Sequence, residues 1–155
     1  MVVRSKQEVA RLLLKWASGE MTLKEIKGYS DEELFAIARI AYFFMMQGKN
    51  DEARVLFEGL IAIDPRNDYY YRALGVIFQK LGDSERAIRQ FSYAIQINPA
   101  FAHSYVNRAE VYIASERYKE AKTDLQKALD VMNIQDQALS RKAWALYRMV
   151  TSQNR

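Results

Sequence analysis

The side chains that most often carry catalysis or hold metals are scarce in this chain of 155 residues. His103 is the only histidine and cysteine is absent, so no imidazole cluster, thiolate metal site, disulfide or cysteine nucleophile is available. The carboxylates fall in ordinary Glu/Lys helix spacings, without a dedicated pair for acid–base work. Neither G-x-G-x-x-G nor G-x-x-x-x-G-K-[ST] occurs, and no serine sits in a G-x-S-x-G elbow. The sequence therefore predicts no catalytic residue, no metal, no cofactor and no enzyme. It predicts a protein that binds.

Composition narrows the partner. Half of the residues are hydrophobic, enough for a continuous core, and only two prolines and six glycines interrupt the chain, so residues 1–155 read as a single domain. The net charge is +4, but residues 136–155 hold Arg141, Lys142, Arg148 and Arg155 against Asp136 alone. No basic stripe is left in the body to track a phosphate backbone, which argues against nucleic acid. Lys6, Glu8, Arg11 and Lys15 interrupt the apolar residues of the first segment, so neither a signal peptide nor a membrane insertion is expected there, and a cytoplasmic location is.

Self-similarity decides the fold. LFEGLIAIDP ends at Pro65, and the corresponding proline of the next segment is Pro99, 34 residues on. Tyr71, Leu74, Gly75, Phe78, Ala87, Phe91, Ala94 and Pro99 match the tetratricopeptide pattern of aromatic, Leu-Gly, aromatic, Ala, Phe, Ala and Pro. One period earlier stand Ile37, Ile40, Ala41, Phe44, Ala53, Phe57, Leu60 and Pro65. One period later stand Tyr105, Arg108, Ala109, Tyr112, Ala121, Leu125, Ala128 and Asn133, with Arg108 in the usual leucine place and Asn133 in the proline place. Repeats are thus expected at about 34–67, 68–101 and 102–135. The expected fold is all-α: three tetratricopeptide-type helix pairs stacked as a right-handed superhelix, with flanking helices at both ends.

Turn and cap signals agree with that register. Gly48, Gly82 and Ser115-Glu116 fall where each first helix must turn into its second, and Ser30/Glu33 and Thr22/Glu25 read as capping boxes. In the N-terminal helical segment, 4–28, Val9, Leu12, Leu13 and Trp16 share one face, widened by Leu14. This helix is expected to cap the stack or to contact a second chain. Residues 136–152 are expected to form a C-terminal capping helix through Leu139, Trp144, Leu146 and Tyr147.

The first helices of such repeats line a concave face. The residues expected there are Phe35, Ala38, Tyr42, Met45 and Met46, then Tyr69, Arg72, Val76 and Gln79, then His103, Val106, Asn107, Glu110 and Ile113. Aromatic and thioether side chains suit a partner with apolar anchors; the alternative is that the N-terminal helix covers Tyr42 and Met45 as core. Tetratricopeptide co-chaperones that clamp a C-terminal carboxylate use a Lys, Asn, Asn, Lys, Arg set, and the matching places here are Ala38, Tyr42, Ala73, His103 and Asn107. An internal apolar segment is therefore the expected ligand.

TLKEI at Thr22 to Ile26, AYFFMMQGKNDEA at Ala41 to Ala53, and the run from Phe57 through LIAID to Asn67, Tyr70, Leu74 and Gln79 resemble a known family. It is the class II, or translocator, chaperones of bacterial type III secretion, and the resemblance covers roughly residues 20–133. It implies a chaperone that holds a hydrophobic secreted translocator soluble before export, binding an extended segment near its N-terminus, with homodimers through the N-terminal helix. It also implies peptide contacts at Tyr42, Phe44 and Met45, with Tyr69, Tyr70, Arg72 and Val76 from the second repeat. Met45 stands where an aromatic is common in that family, and the positive net charge departs from its usual acidic character. A general repeat scaffold, an assembly factor that binds a folded partner, is the second reading.

Overall fold

The computed structural model of the chain describes residues 5–133 and 135–153. The expected N-terminal segment starts at residue 4, the third repeat crosses residue 134 and the basic tail reaches Arg155; these positions lie outside the described residues. Among the described residues the elements are all helices: α1 (Lys6–Ala17), α2 (Leu23–Lys27), α3 (Asp31–Met46), α4 (Asn50–Ile63), α5 (Asp68–Lys80), α6 (Ser84–Ile97), α7 (Ala102–Ala114), α8 (Tyr118–Val131) and α9 (Gln137–Gln153). The pairs α3/α4, α5/α6 and α7/α8 stack in sequence, and α9 packs on α8. This is the all-α repeat stack expected.

Local chemistry explains the repeat. Gly48 and Gly82 close the first two pairs in the left-handed region, at φ +77 and +76, where glycine has no Cβ to clash. Glu116 makes the third turn at φ +59, a conformation that costs a non-glycine residue about 1 kcal/mol. Gly75 is needed for close approach: a Cβ built there would lie 2.6 Å from Phe91 Cε1. The repeated aromatic also has a polar task. Tyr71 donates its hydroxyl to the Pro65 carbonyl and Tyr105 donates to that of Pro99, each at 3.1 Å, which ties each first helix to the turn before it.

Arg108, the departure from the repeat pattern, is satisfied rather than stranded. Its Nε and Nη2 donate to the two oxygens of buried Asp124 at 2.7 Å, and Nη1 donates to Ser92 Oγ at 2.7 Å. The ion pair thus joins α6, α7 and α8 where a leucine would pack.

The two ends differ. α9 closes the stack through buried Leu139, Ala143 and Val150, with Leu146 and Tyr147 packed beside them. Trp144, expected on that face, is exposed instead, because five residues from Leu139 turn it well off the buried stripe. At the other end α1 buries none of its residues. Val9, Leu13, Leu14 and Trp16 face solvent, so the capping reading of this helix is overturned. Both capping boxes form, and α2 is pinned to the stack by Lys24, which pairs with Asp31 and, at 3.1 Å, with Asp64.

Candidate functional site

The concave face begins on α3, where the chain exposes large apolar side chains along one stripe. Phe35 is 60% exposed, Tyr42 47% and Met46 62%, and their spacing of seven and four residues keeps them on one side of the helix. A cavity of about 450 Å³ opens beside Phe35, lined also by Asp31, Glu32, Asn67, Tyr69 and Tyr70. Its base is aromatic: Tyr69 meets Phe57 edge-on at 6.0 Å and Tyr70 at 6.1 Å. Burial pushes the Tyr69 phenol above its ordinary value against the pull of the Arg72 cation, with a further small push from Tyr42.

Further along, Arg72 of α5 reaches the N-cap of α7. Its guanidinium lies 4.1 Å from the Phe101 ring centroid and 5.4 Å from that of Tyr69, and its Nε donates to Asp68 at 2.9 Å. Phe101 in turn stacks on His103 at 5.0 Å, and His103 Nε2 lies 3.6 Å from Asp136. Tyr69, Arg72, Phe101 and His103 therefore form a continuous shelf of flat groups, which suits an extended chain better than a reacting small molecule. Among the described residues no group of three or more His, Asp or Glu side chains converges as a metal site.

The expected groove residues divide into two sets. Phe35, Tyr42, Tyr69, Arg72 and His103 reach the surface. Ala38, at 1% exposure, Met45, at 7%, and Tyr70, at 3%, belong to the core; Ala38 and Met45 point between α3 and its neighbours and support the face from below. Phe44 and Val76 are half buried against that core, with Lys49 over the Phe44 ring at 5.6 Å. α1 covers neither Tyr42 nor Met45; the repeat helices themselves bury Met45.

Two contributors escaped the sequence pattern. Phe101 holds the N-cap place of α7, as Asn67 does one repeat earlier, and makes no capping hydrogen bond. An aromatic at a cap is a poor capper, and that was the available signal that its ring serves the surface. The Asp31 and Glu32 rim comes from the acidic first turn of α3, which reads from sequence as dipole compensation alone.

Comparison with known proteins agrees with the architecture. The tetratricopeptide repeat family profile matches residues 69–101 and 102–131. The human tetratricopeptide repeat protein 6 is 28% identical over 103 residues, 57% of this chain; the chain spans about a fifth of that protein's length. A type III secretion complex from Aeromonas hydrophila superposes with a TM-score of 0.86 at 19% identity, covering 93% of this chain and 97% of that one. The Yersinia enterocolitica type III secretion chaperone SycD, solved with a peptide of the translocator YopD, gives a TM-score of 0.77 at 20% identity, covering 81% of this chain and 98% of that one. The chain thus carries tetratricopeptide repeats and is built on the fold of the type III secretion translocator chaperones.

Proposed function

We propose that this protein is a non-catalytic chaperone of a bacterial type III secretion system, which binds an extended apolar segment of a secreted translocator and keeps it soluble and unassembled in the cytoplasm before export. The observation that carries this reading is the exposed stripe of Phe35, Tyr42 and Met46 beside the aromatic cavity on α3 and α5, on the same fold with which SycD holds a translocator peptide. Apolar side chains of a peptide would seat against Phe35, Tyr42 and Tyr69, and the Arg72–Phe101–His103 shelf would hold the backbone beyond them. Each buried anchor contributes about 1.5–3 kcal/mol, and ordering the segment offsets part of that. Micromolar affinity, roughly −8 kcal/mol, is the scale expected of the groove.

The exposed apolar face of α1 supports a homodimer as part of the same proposal, since among the described residues none of Val9, Leu13, Leu14 and Trp16 is buried. Co-expression with candidate translocators of the same genome tests the chaperone reading. A translocator should become soluble and co-purify, and Tyr42→Ala with Phe35→Asp should release it. The reading fails if no translocator co-purifies, or if these substitutions leave the complex intact.

A further inference from the structure

A second cleft lies on the other side of the closing end. α8 and α9 enclose a cavity of about 400 Å³ lined by Lys122, Thr123, Gln126, Lys127, Asp130 and Tyr147. Lys142, on the opposite flank of α9, reaches back to Glu110 of α7 at 2.8 Å, so the Tyr147 flank turns away from α7 and from the concave groove. Trp144 meets Tyr147 edge-on at 6.0 Å and remains exposed. Trp144 is not needed to close the stack, which Leu139, Ala143 and Val150 do from the buried side of α9 with one edge of Tyr147 packed beside them.

The lining carries two cations, Lys122 and Lys127, against one carboxylate, Asp130. Lys122 Nζ lies 6.0 Å over the Tyr147 ring. Among the described residues Lys122 and Lys127 of the lining, and Arg148 next to Tyr147 in sequence, form no ion pair. The one carboxylate of the lining, Asp130, accepts a hydrogen bond from Gln126 Nε2 at 3.0 Å. At the concave groove, by contrast, Asp31 is already paired with Lys24.

We propose that the α8/α9 cleft binds an acidic protein segment bearing one apolar anchor, the anchor seated against Trp144 and Tyr147 and its flanking Asp or Glu side chains beside Lys122 and Lys127. Charge complementarity selects this occupant: the unpaired cations Lys122 and Lys127 attract an acidic segment, and the Trp144–Tyr147 pair offers its anchor an apolar seat. A nucleic acid fits less well. The ring pair is edge-on rather than an open platform for bases, and the cations flank a cleft instead of following a line.

Two labelled peptides of about twelve residues test the proposal, long enough to cross the cleft when extended. One has a central Leu-Phe pair flanked by Asp and Glu, and the other replaces these by Asn and Gln. By fluorescence anisotropy at low salt the full chain should bind the acidic peptide at least roughly tenfold more tightly than the neutral one. The preference should disappear in Lys122→Glu/Lys127→Glu, binding of both peptides should weaken in Trp144→Ala, and both preference and affinity should persist in Tyr42→Ala. The charge reversal changes only surface side chains, so it decides the matter even if Trp144→Ala fails to fold. The proposal is overturned by equal affinity for the two peptides, by no binding of the acidic one, by binding that survives the charge reversal, or by a single-stranded oligonucleotide that displaces the peptide.

Discussion

Removing one member of the Arg108–Asp124 pair should cost far more stability than removing both. The guanidinium is held at 2.7 Å by both carboxylate oxygens and by Ser92, and the two side chains are only 18% and 6% exposed. Burial alone would lower the Arg108 pKa, yet hydrogen bonding and the charge of Asp124 outweigh it and raise the pKa above its ordinary value. Asp124→Ala leaves that cation buried without a counter-charge, a loss of about 3–5 kcal/mol. Arg108→Leu with Asp124→Leu restores the leucine of the repeat pattern at position 108 and removes both charges, so it should be neutral or stabilise by up to about 4 kcal/mol. For a chain of this size the single change corresponds to a Tm drop of roughly 6–20 °C. Urea unfolding followed by helical circular dichroism measures the effect. Because stacked repeats can unfold in parts, amide exchange in α7 and α8 checks that the loss is local. An Asp124→Ala cost below about 1 kcal/mol, or a double variant as destabilised as the sum of its singles, would refute the buried-charge argument.

Gly75→Ala should destabilise by about 1–3 kcal/mol through overpacking, since the new methyl meets the fully buried Phe91 ring at 2.6 Å; an unchanged urea midpoint would mean that the ring yields freely. Trp16→Glu should convert a dimer to monomer in sedimentation velocity, and a wild-type chain that is monomeric at high micromolar concentration removes α1 as an interface. The Thr22 backbone amide and hydroxyl hold the Glu25 carboxyl below its ordinary value. The contribution of this capping box is therefore present at neutral pH and lost as pH falls through the carboxylate range of about 4 and below. Glu25→Gln should flatten that part of the stability–pH curve, and an unaltered curve would show that the box adds nothing.

What the sequence made legible was periodic and local. Gly48, Gly82 and the prolines at 65 and 99 punctuate the repeats because turn geometry and the Tyr-to-proline-carbonyl hydrogen bonds recur each period. The capping boxes depend on residues three apart and were equally plain. Helical phase resolved the groove less sharply. Ala38 and Met45 share the sector of Phe35 and Tyr42, yet a small rotation separates the buried flank of α3 from its exposed one. An amphipathic stripe such as that of α1 says that a helix favours a partner, not whether the partner is its own stack. The Arg72–Phe101 contact runs from α5 to the N-cap of α7 and depends on how those helices stack, which the spacing of consensus residues does not encode.

The central claim is that the concave face of α3 and α5 binds an extended translocator segment. Its most direct test is calorimetric titration of an N-terminal translocator peptide from the same genome into the wild-type chain and into Phe35→Asp/Tyr42→Ala, both confirmed as folded. A dissociation constant in the micromolar range, roughly −8 kcal/mol, is expected for the wild type, with at least about a tenfold loss in the variant, or 1.4 kcal/mol. Equal affinity in the two proteins, or no binding of any translocator segment, would contradict it.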